Sequence, residues 1–369
     1  MGKNIDSQPF EAYFKTSSRG NVLGLIAQGS KNVRAENIRR LHGGIANNLY
    51  SFSLAFTSGP LEHCRFLVLK AYRENNVFWQ KKGYQNRGGE KDILEFQVLQ
   101  HLGKVGFPVP QVYFFEHNSS FLGYPFIVME KLEVVPGTPS MSILASLLAQ
   151  LHELRLEKLG IKPLRIPEDG NEFAKNWAIL FSQKMNITQP VRLRRIFGLA
   201  IDWVHSNSKD NYCSQYSLLH GDYQPSHVVL TKHSGPRVID WEKTLVGDPA
   251  YDVAYAYHMI KLAGNPKNPR KNEKYAEQFI SEYQKYTQMD VSQRLEFYKV
   301  VTILALTIKA ISIVSSPLNA YRHFGVKAFF EYPFLHFPLA TRQLSKLNFS
   351  AYVTEYFQDY LKGYWPKAR

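Results

Sequence analysis

The sequence predicts an α+β chain, with a small lobe of antiparallel strands and one helix followed by a larger, mostly helical lobe. Three observations predict it. The first third holds aromatic-rich, partly alternating runs bounded by turn residues. A single helix-spaced stretch interrupts those runs, and beyond Pro139 nearly every apolar repeat has helical spacing. At 369 residues the chain is long enough for two lobes around a cleft.

Taken in order, Asn48–Phe56 (NLYSFSLAF) and Arg65–Tyr72 (RFLVLKAY) fit β-strands. The stretch RRLHGGIANNLY places Gly43, Gly44 and Asn47 at a turn between strands. Lys91–Val105 spaces its apolar residues as a helix, and Gly106, Pro108 and Pro110 end it. Gln111–Glu116 and Pro125–Met129 are strand-like, and Gly137 and Pro139 mark a break. Ser140–Leu154 opens the helical part on a serine cap. Helices are then predicted over Asn171–Met185, Arg192–His205, Ala250–Leu262, Lys274–Thr287 and Leu295–Val314. Among them lies a non-helical island, Leu218–Pro249, with two short apolar runs, His227–Leu230 and Arg237–Ile239. Gly264–Lys274 reads as a basic, solvated loop. The predicted division is a nucleotide-binding lobe over 1–132, of which 1–40 is unassigned, and a helical catalytic and substrate lobe over 133–369.

Composition sets limits. Hydrophobic residues at 44% and charged residues at 21% exclude a disordered chain, and two cysteines exclude a disulfide scaffold or a Cys-rich zinc module. A reducing, cytoplasmic setting is expected, because Met1–Phe10 has no apolar export region. Val300–Val314 is short for a bilayer and carries Lys309, so it reads as a buried helix and no membrane span is expected. The net charge of +14 favours anionic partners without choosing among them. No nucleic-acid module accompanies the basic clusters, so nucleic acid is not the expected partner. The histidines show no HExxH spacing, and no GxGxxG follows a strand, which sets aside a zinc hydrolase and a Rossmann dehydrogenase.

The chemistry concentrates in the island, HGDYQPSHVVL and then RVIDWEKTLVGDPAYDVAY. Asp222 and Asp240 each sit at the edge of a short apolar run, so two carboxylates can converge, one for a divalent metal and one for a hydroxyl proton. Lys70, preceded by the glycine turn, offers what a triphosphate needs: backbone N–H groups over the phosphates and an ammonium beside them.

These residues resemble the aminoglycoside phosphotransferase and choline kinase family of protein-kinase-like small-molecule kinases. The resemblance rests on His220-Gly221-Asp222, Ile239-Asp240-Trp241-Glu242 and Gly247-Asp248-Pro249-Ala250-Tyr251-Asp252, with Gly43 to Asn47, Lys70, Glu95 and the connector Val128 to Leu132 in the expected order. It implies a two-lobed, protein-kinase-like fold and transfer of the γ-phosphoryl group of ATP, or of GTP, to a small-molecule hydroxyl. It implies that Gly43, Gly44 and Asn47 cover the phosphates. Lys70 would orient those phosphates and Glu95 pair with it, Glu90 being the second candidate for that pairing. Glu130 and Leu132 would present backbone to the base, Asp222 would act as catalytic base, and Asp240 would bind Mg²⁺ or Mn²⁺. His220 would hold the catalytic loop, with Asp248 and Asp252 structural. His227 stands five residues after Asp222, where the family has a metal-ligating Asn, and imidazole prefers softer metals than an amide oxygen does. A variant metal site, a site completed without His227 and a catalytically inactive nucleotide- or nucleic-acid-binding relative are the three readings of that departure. The acceptor and the oligomeric state cannot be read from the sequence.

Overall fold

Five antiparallel strands in the order β1-β2-β3-β5-β4 form the N-terminal sheet of the computed structural model, which describes residues 34–41, 47–55, 65–72, 91–117, 124–161, 164–184, 191–264 and 268–314. Along the chain run β1 (Arg34–Leu41), β2 (Asn47–Ala55), β3 (Arg65–Tyr72), α1 (Lys91–Lys104), β4 (Val112–Glu116), β5 (Phe126–Glu130), α2 (Met141–His152), α3 (Glu172–Lys184), α4 (Val191–Asn207), β6 (Ser217–Leu219), β7 (Val228–Thr231), β8 (Gly235–Val238), β9 (Leu245–Gly247), α5 (Pro249–Ala263), α6 (Pro269–Tyr286) and α7 (Ser292–Val314). A single helical turn, Leu156–Leu159, follows α2.

β3 lies between β2 and β5, with Lys70 opposite Leu49 on one side and Ile127 on the other. Side chains alternate along it: Leu67, Leu69 and Ala71 join Phe52, Leu54, Phe126 and Val128 in the sheet's core, and Lys70 takes the opposite face. The first strand, Arg34–Leu41, falls largely in the stretch left unassigned from sequence. Its residues, RAENIRRL, suit an exposed edge, where charge discourages further pairing. A bulge between Glu36 and Arg39 contains Asn37 at φ 55°, whose amide donates to Ser53.

The described residues fall into two units. The first takes in the strands and helix up to Val135 and the later segment Thr231–Glu242. That segment is tied in by backbone bonds from Lys232 to the Glu133 carbonyl (2.9 Å) and from Val238 to the Pro108 carbonyl (2.8 Å).

The second unit is mostly helical. Ser140 caps α2 by accepting from the Ile143 N–H (3.2 Å). α5 is buried almost all round, from Pro249 to Leu262, as a helix packed by neighbours on every side must be. Trp177 of α3 stacks on Tyr251 of α5 with ring centroids 5.1 Å apart. The reading of Gly264–Lys274 as loop is corrected by the structure: α6 starts at Pro269, with Asn268 capping it through the Lys271 N–H (3.3 Å). Proline at a first helical position starts a helix, because its missing N–H would have had no partner there. Among the described residues no helix is long and apolar enough to cross a membrane.

One buried group in α5 makes stability depend on pH. His258 is fully buried and donates through Nε2 to the Lys299 carbonyl (2.8 Å). Burial lowers its pKa to about 3 against the pull of that carbonyl, and the Lys299 and Lys261 charges add to the lowering. The unfolded chain therefore binds the extra proton first, so the contribution is complete above about pH 6.5 and is lost as pH falls towards 3. The expected slope is about 1.4 kcal/mol per pH unit across that window. Urea melts at pH 7, 6 and 5 should show wild type losing stability more steeply than His258→Gln; equal slopes would refute the assignment.

Candidate active site

Helix α1 buries Leu94, Val98, Leu99 and Leu102 on one face, and Glu95 sits on that same apolar side at 2% exposure. A carboxylate there is costly unless paired. Its Oε1 accepts from Lys70 Nζ at 2.9 Å, and its Oε2 accepts from the Tyr72 hydroxyl at 2.6 Å. Lys70 also donates to Asp240 Oδ1 at 2.9 Å, and Glu242 Oε2 lies 3.8 Å from it. Asn47, at the start of β2, donates its amide to the same Glu242 oxygen (2.7 Å). Lys70 thus faces three carboxylates within the first unit. Burial alone would lower the lysine's pKa, but Asp240, Glu95 and Glu242 outweigh it and hold the group well above the ordinary lysine range. Glu95 is pushed up by burial, which Lys70 opposes.

Asp240 sits at φ 68°, a left-handed conformation that Asp tolerates better than most residues. The next residue pins it: Trp241 is fully buried, donates its indole N–H to the Val238 carbonyl (3.0 Å) and meets Phe107 edge-on at 5.8 Å. Asp240 and Glu242 flank this anchor, and both reach Lys70. Three carboxylates around one ammonium leave an excess of negative charge, and the most accessible of them, Asp240 at 34%, offers the hard oxygen donors that suit Mg²⁺. Asp240 and Glu242 carry oxygen donors of the type a magnesium ion takes, though both face Lys70. Among the described residues no three His, Cys, Asp or Glu form a complete ligand set by themselves.

In the second unit, β6 leads into His220-Gly221-Asp222. Asp252 of α5 accepts from the His220 N–H (2.7 Å) and the Gly221 N–H (2.9 Å), and the Asp222 N–H meets His220 Nδ1 at 3.3 Å. Gly221 is at φ 76°, and a Cβ there would come 2.2 Å from the Lys243 carbonyl oxygen, so only glycine fits this turn. Asp222 is buried and accepts from two side chains, Lys243 Nζ at Oδ2 and the Tyr255 hydroxyl at Oδ1. Asp248 caps α5 through the Ala250 N–H (2.9 Å) and accepts from Arg294 Nε (2.6 Å).

His227 Nδ1 meets the Asp222 carbonyl at 2.9 Å, so that nitrogen carries the proton. Its Nε2 then accepts from the Gln224 amide nitrogen at 3.0 Å. The Glu130 and Lys131 N–H groups are given to the Gln111 and Phe66 carbonyls (2.9 and 3.0 Å), and half-buried Leu132 follows them. Gly43, Gly44 and Glu90 lie outside the described residues. A cavity of about 500 Å³ in the first unit, lined by Leu99, Gly103, Phe107, Val112, Glu130 and Arg237 among others, includes none of Lys70, Glu95 or Asp240.

Sequence reasoning missed Glu242, Lys243 and Tyr255 as site residues. Glu242 and Lys243 were visible beside the Asp-Trp pair, and Tyr255 stands three residues beyond Asp252 on α5. Their partners emerge only from strand register and helix packing.

A sheet lysine paired with a helix acid, together with a His-Gly-Asp turn in a helical unit, is the arrangement of the protein-kinase-like phosphotransferases. The chain belongs to one branch of that class: residues 93–290, over half of its length, match the phosphotransferase enzyme family, APH. Acyl-CoA dehydrogenase family member 11 of Homo sapiens is 26% identical over 213 residues, covering 50% of this chain and 27% of that protein. The probable acyl-CoA dehydrogenase IBR3 of Arabidopsis thaliana is 28% identical over 183 residues, 44% of this chain and 22% of that one. The chain thus spans about a quarter of the length of the curated relatives it matches. The fold is similar to that of macrolide 2′-phosphotransferase from Brachybacterium faecium, with a TM-score of 0.53 at 16% identity, covering 84% of this chain and 97% of that one. It is also similar to an aminoglycoside phosphotransferase in ternary complex with ADP and hygromycin B, at 0.54 and 15% identity, covering 85% and 98%. At such identities the likeness is one of fold.

Proposed function

We propose that this chain transfers the γ-phosphoryl group of ATP to a hydroxyl group of a small molecule. The observation that carries this reading is the buried cluster of Lys70 with Glu95 and Asp240. A lysine locked by a helix acid and facing further carboxylates suits triphosphate and metal together, and an edge-strand lysine would have no reason to be buried.

In this reading Glu95 fixes Lys70, whose ammonium pairs with the non-transferred phosphates. Gly43, Gly44 and Asn47 cover the phosphates, and backbone from Glu130 to Leu132 meets the base. Asp240, beside Glu242, would hold Mg²⁺, which when bound supplies positive charge to the phosphate oxygens. Asp222 takes the proton of the acceptor hydroxyl as its oxygen bonds to the γ-phosphorus and the bridging P–O bond to ADP breaks. Phosphorylation of a library of hydroxyl metabolites by the purified chain, with ATP and Mg²⁺, tests the proposal. Transfer to some member is the expected result; ATP binding with no transfer to any acceptor would favour the inactive relative that His227 raises.

Ligation of a second metal position by His227 requires Gln224 to give up its hold on the Nε2 lone pair. The imidazole is therefore expected to steady the Asp222 turn, and His227→Asn should leave the ratio of Mg²⁺- to Mn²⁺-supported turnover unchanged. A parent that favours Mn²⁺ and a variant that favours Mg²⁺ would establish ligation instead.

A further inference from the structure

We propose that Lys243 is a catalytic cation of this reaction: it is held by Asp222 and pairs with the transferred phosphoryl group as that group moves. The inference rests on the phosphotransferase reading and adds a residue to it.

Lys243 is placed on Asp222 by the fold. Strands β6 and β9 pair antiparallel with Leu219 opposite Leu245, and the same register carried two residues further sets Gly221 against Lys243. At the left-handed Gly221 the two backbone segments run so close that an added Cβ would come 2.2 Å from the Lys243 carbonyl oxygen, so they are closely apposed here. The ammonium is buried with its partner, at 10% and 9% side-chain exposure.

Both oxygens of Asp222 have donors, Lys243 at Oδ2 and Tyr255 at Oδ1. A base must free one of them to take a hydroxyl proton. Tyr255 cannot easily be the one that leaves: it sits on the buried helix α5, and burial, reinforced by Asp222, keeps its phenol protonated far above the ordinary range. Lys243 is on a flexible four-carbon stem and can move.

Where it would move follows from bond lengths. An acceptor hydroxyl within hydrogen-bond reach of Asp222 lies about 2.6–3.2 Å from the carboxylate, and the phosphorus it attacks is the next atom beyond it. A cation already resting on that carboxylate is a side-chain swing from the phosphoryl oxygens, where charge gathers in the transition state. As the new O–P bond forms and the bridging P–O bond breaks, the hydroxyl proton passes to Asp222 and ADP departs. Lys243 neither gains nor loses a proton.

The test measures ATP turnover with water as acceptor, ADP affinity, and affinity for ADP with aluminium fluoride, a mimic of the planar transferring group. Lys243→Met is expected to lower kcat by about 10²-fold, the effect of losing one donor to developing charge. ADP affinity should hold, while affinity for ADP with aluminium fluoride falls by a similar factor. A purely structural lysine would not produce that split. In Lys243→Ala, added ethylammonium should restore part of the lost turnover. Unchanged kcat, or equal loss of ADP and of ADP–aluminium fluoride binding, would overturn the role of Lys243. If Asp222→Asn also keeps full turnover, or wild type transfers the γ-phosphoryl group neither to water nor to any hydroxyl metabolite of the library, the phosphotransferase reading itself fails and this inference with it.

Discussion

Asp222→Asn is expected to reduce acceptor phosphorylation by about 10²- to 10⁴-fold, the range that a positioned base supplies, while nucleotide affinity stays close to that of the parent. The substitution keeps the size of the side chain and its place on the Tyr255 hydroxyl, and removes the proton acceptor. It also takes the anion from beside Lys243, so a thermal melt should accompany the assay. Removing one partner of a buried ion pair costs about 3–5 kcal/mol in well-enclosed cases. A folded variant that binds ATP but does not phosphorylate is the expected result. Phosphorylation at the parent rate would return Asp222 to the status of a turn residue.

Lys70→Ala should act on two measurements at once. Glu95, Asp240 and Glu242 lose their shared cation, and Glu95, at 2% exposure, has the least access to water. A stability loss of up to about 3–5 kcal/mol is expected, tempered by Asp240, which is 34% exposed and keeps part of its hydration. Phosphoryl transfer at saturating ATP should fall at least about 10²-fold, as for loss of a preorganised charge donor. Lys70→Arg should not rescue it. The guanidinium is larger and forked, and it must fit where Nζ now sits 5.6 Å from the Tyr72 ring centre and 2.9 Å from two carboxylates. Wild-type turnover in both variants would leave the cluster without a catalytic duty.

The strands and helices that carry the site were largely legible because their apolar spacing is strong. Arg65–Tyr72 has the bounds read from sequence, and Lys91–Lys104 differs by one residue at its end. Arg34–Leu41 was not read as a strand because charged residues on an exposed edge leave no alternating pattern. The start of α6 was obscured by two prolines that look like breakers, although one of them opens the helix. Lys70, Glu95, Asp222 and Asp240 could be picked out by residue type and order, and the structure joins the first two to Asp240 through one ammonium. Glu242, Lys243 and Tyr255 could not, since an acid, a lysine and a tyrosine are ordinary residues until register sets them on Lys70 or Asp222. The same holds for His227: its sequence position raises a metal question, and its contacts with the Asp222 carbonyl and Gln224 emerge only from the fold.

The first unit is assembled from two stretches of chain, one ending near Val135 and one running from Thr231 to Glu242, with ninety-odd residues of the second unit read between them. For recombination this matters. A crossover anywhere between those stretches would graft a lysine and its helix acid from one parent onto the Asp-Trp-Glu of another, and the hybrid would hold Lys70 only if both parents had kept the same spacing around a buried tryptophan. Descendants of such exchanges should therefore inherit the segment as a whole, and a library of chimaeras made from related chains should be depleted of junctions between positions 135 and 231 relative to junctions beyond Glu242.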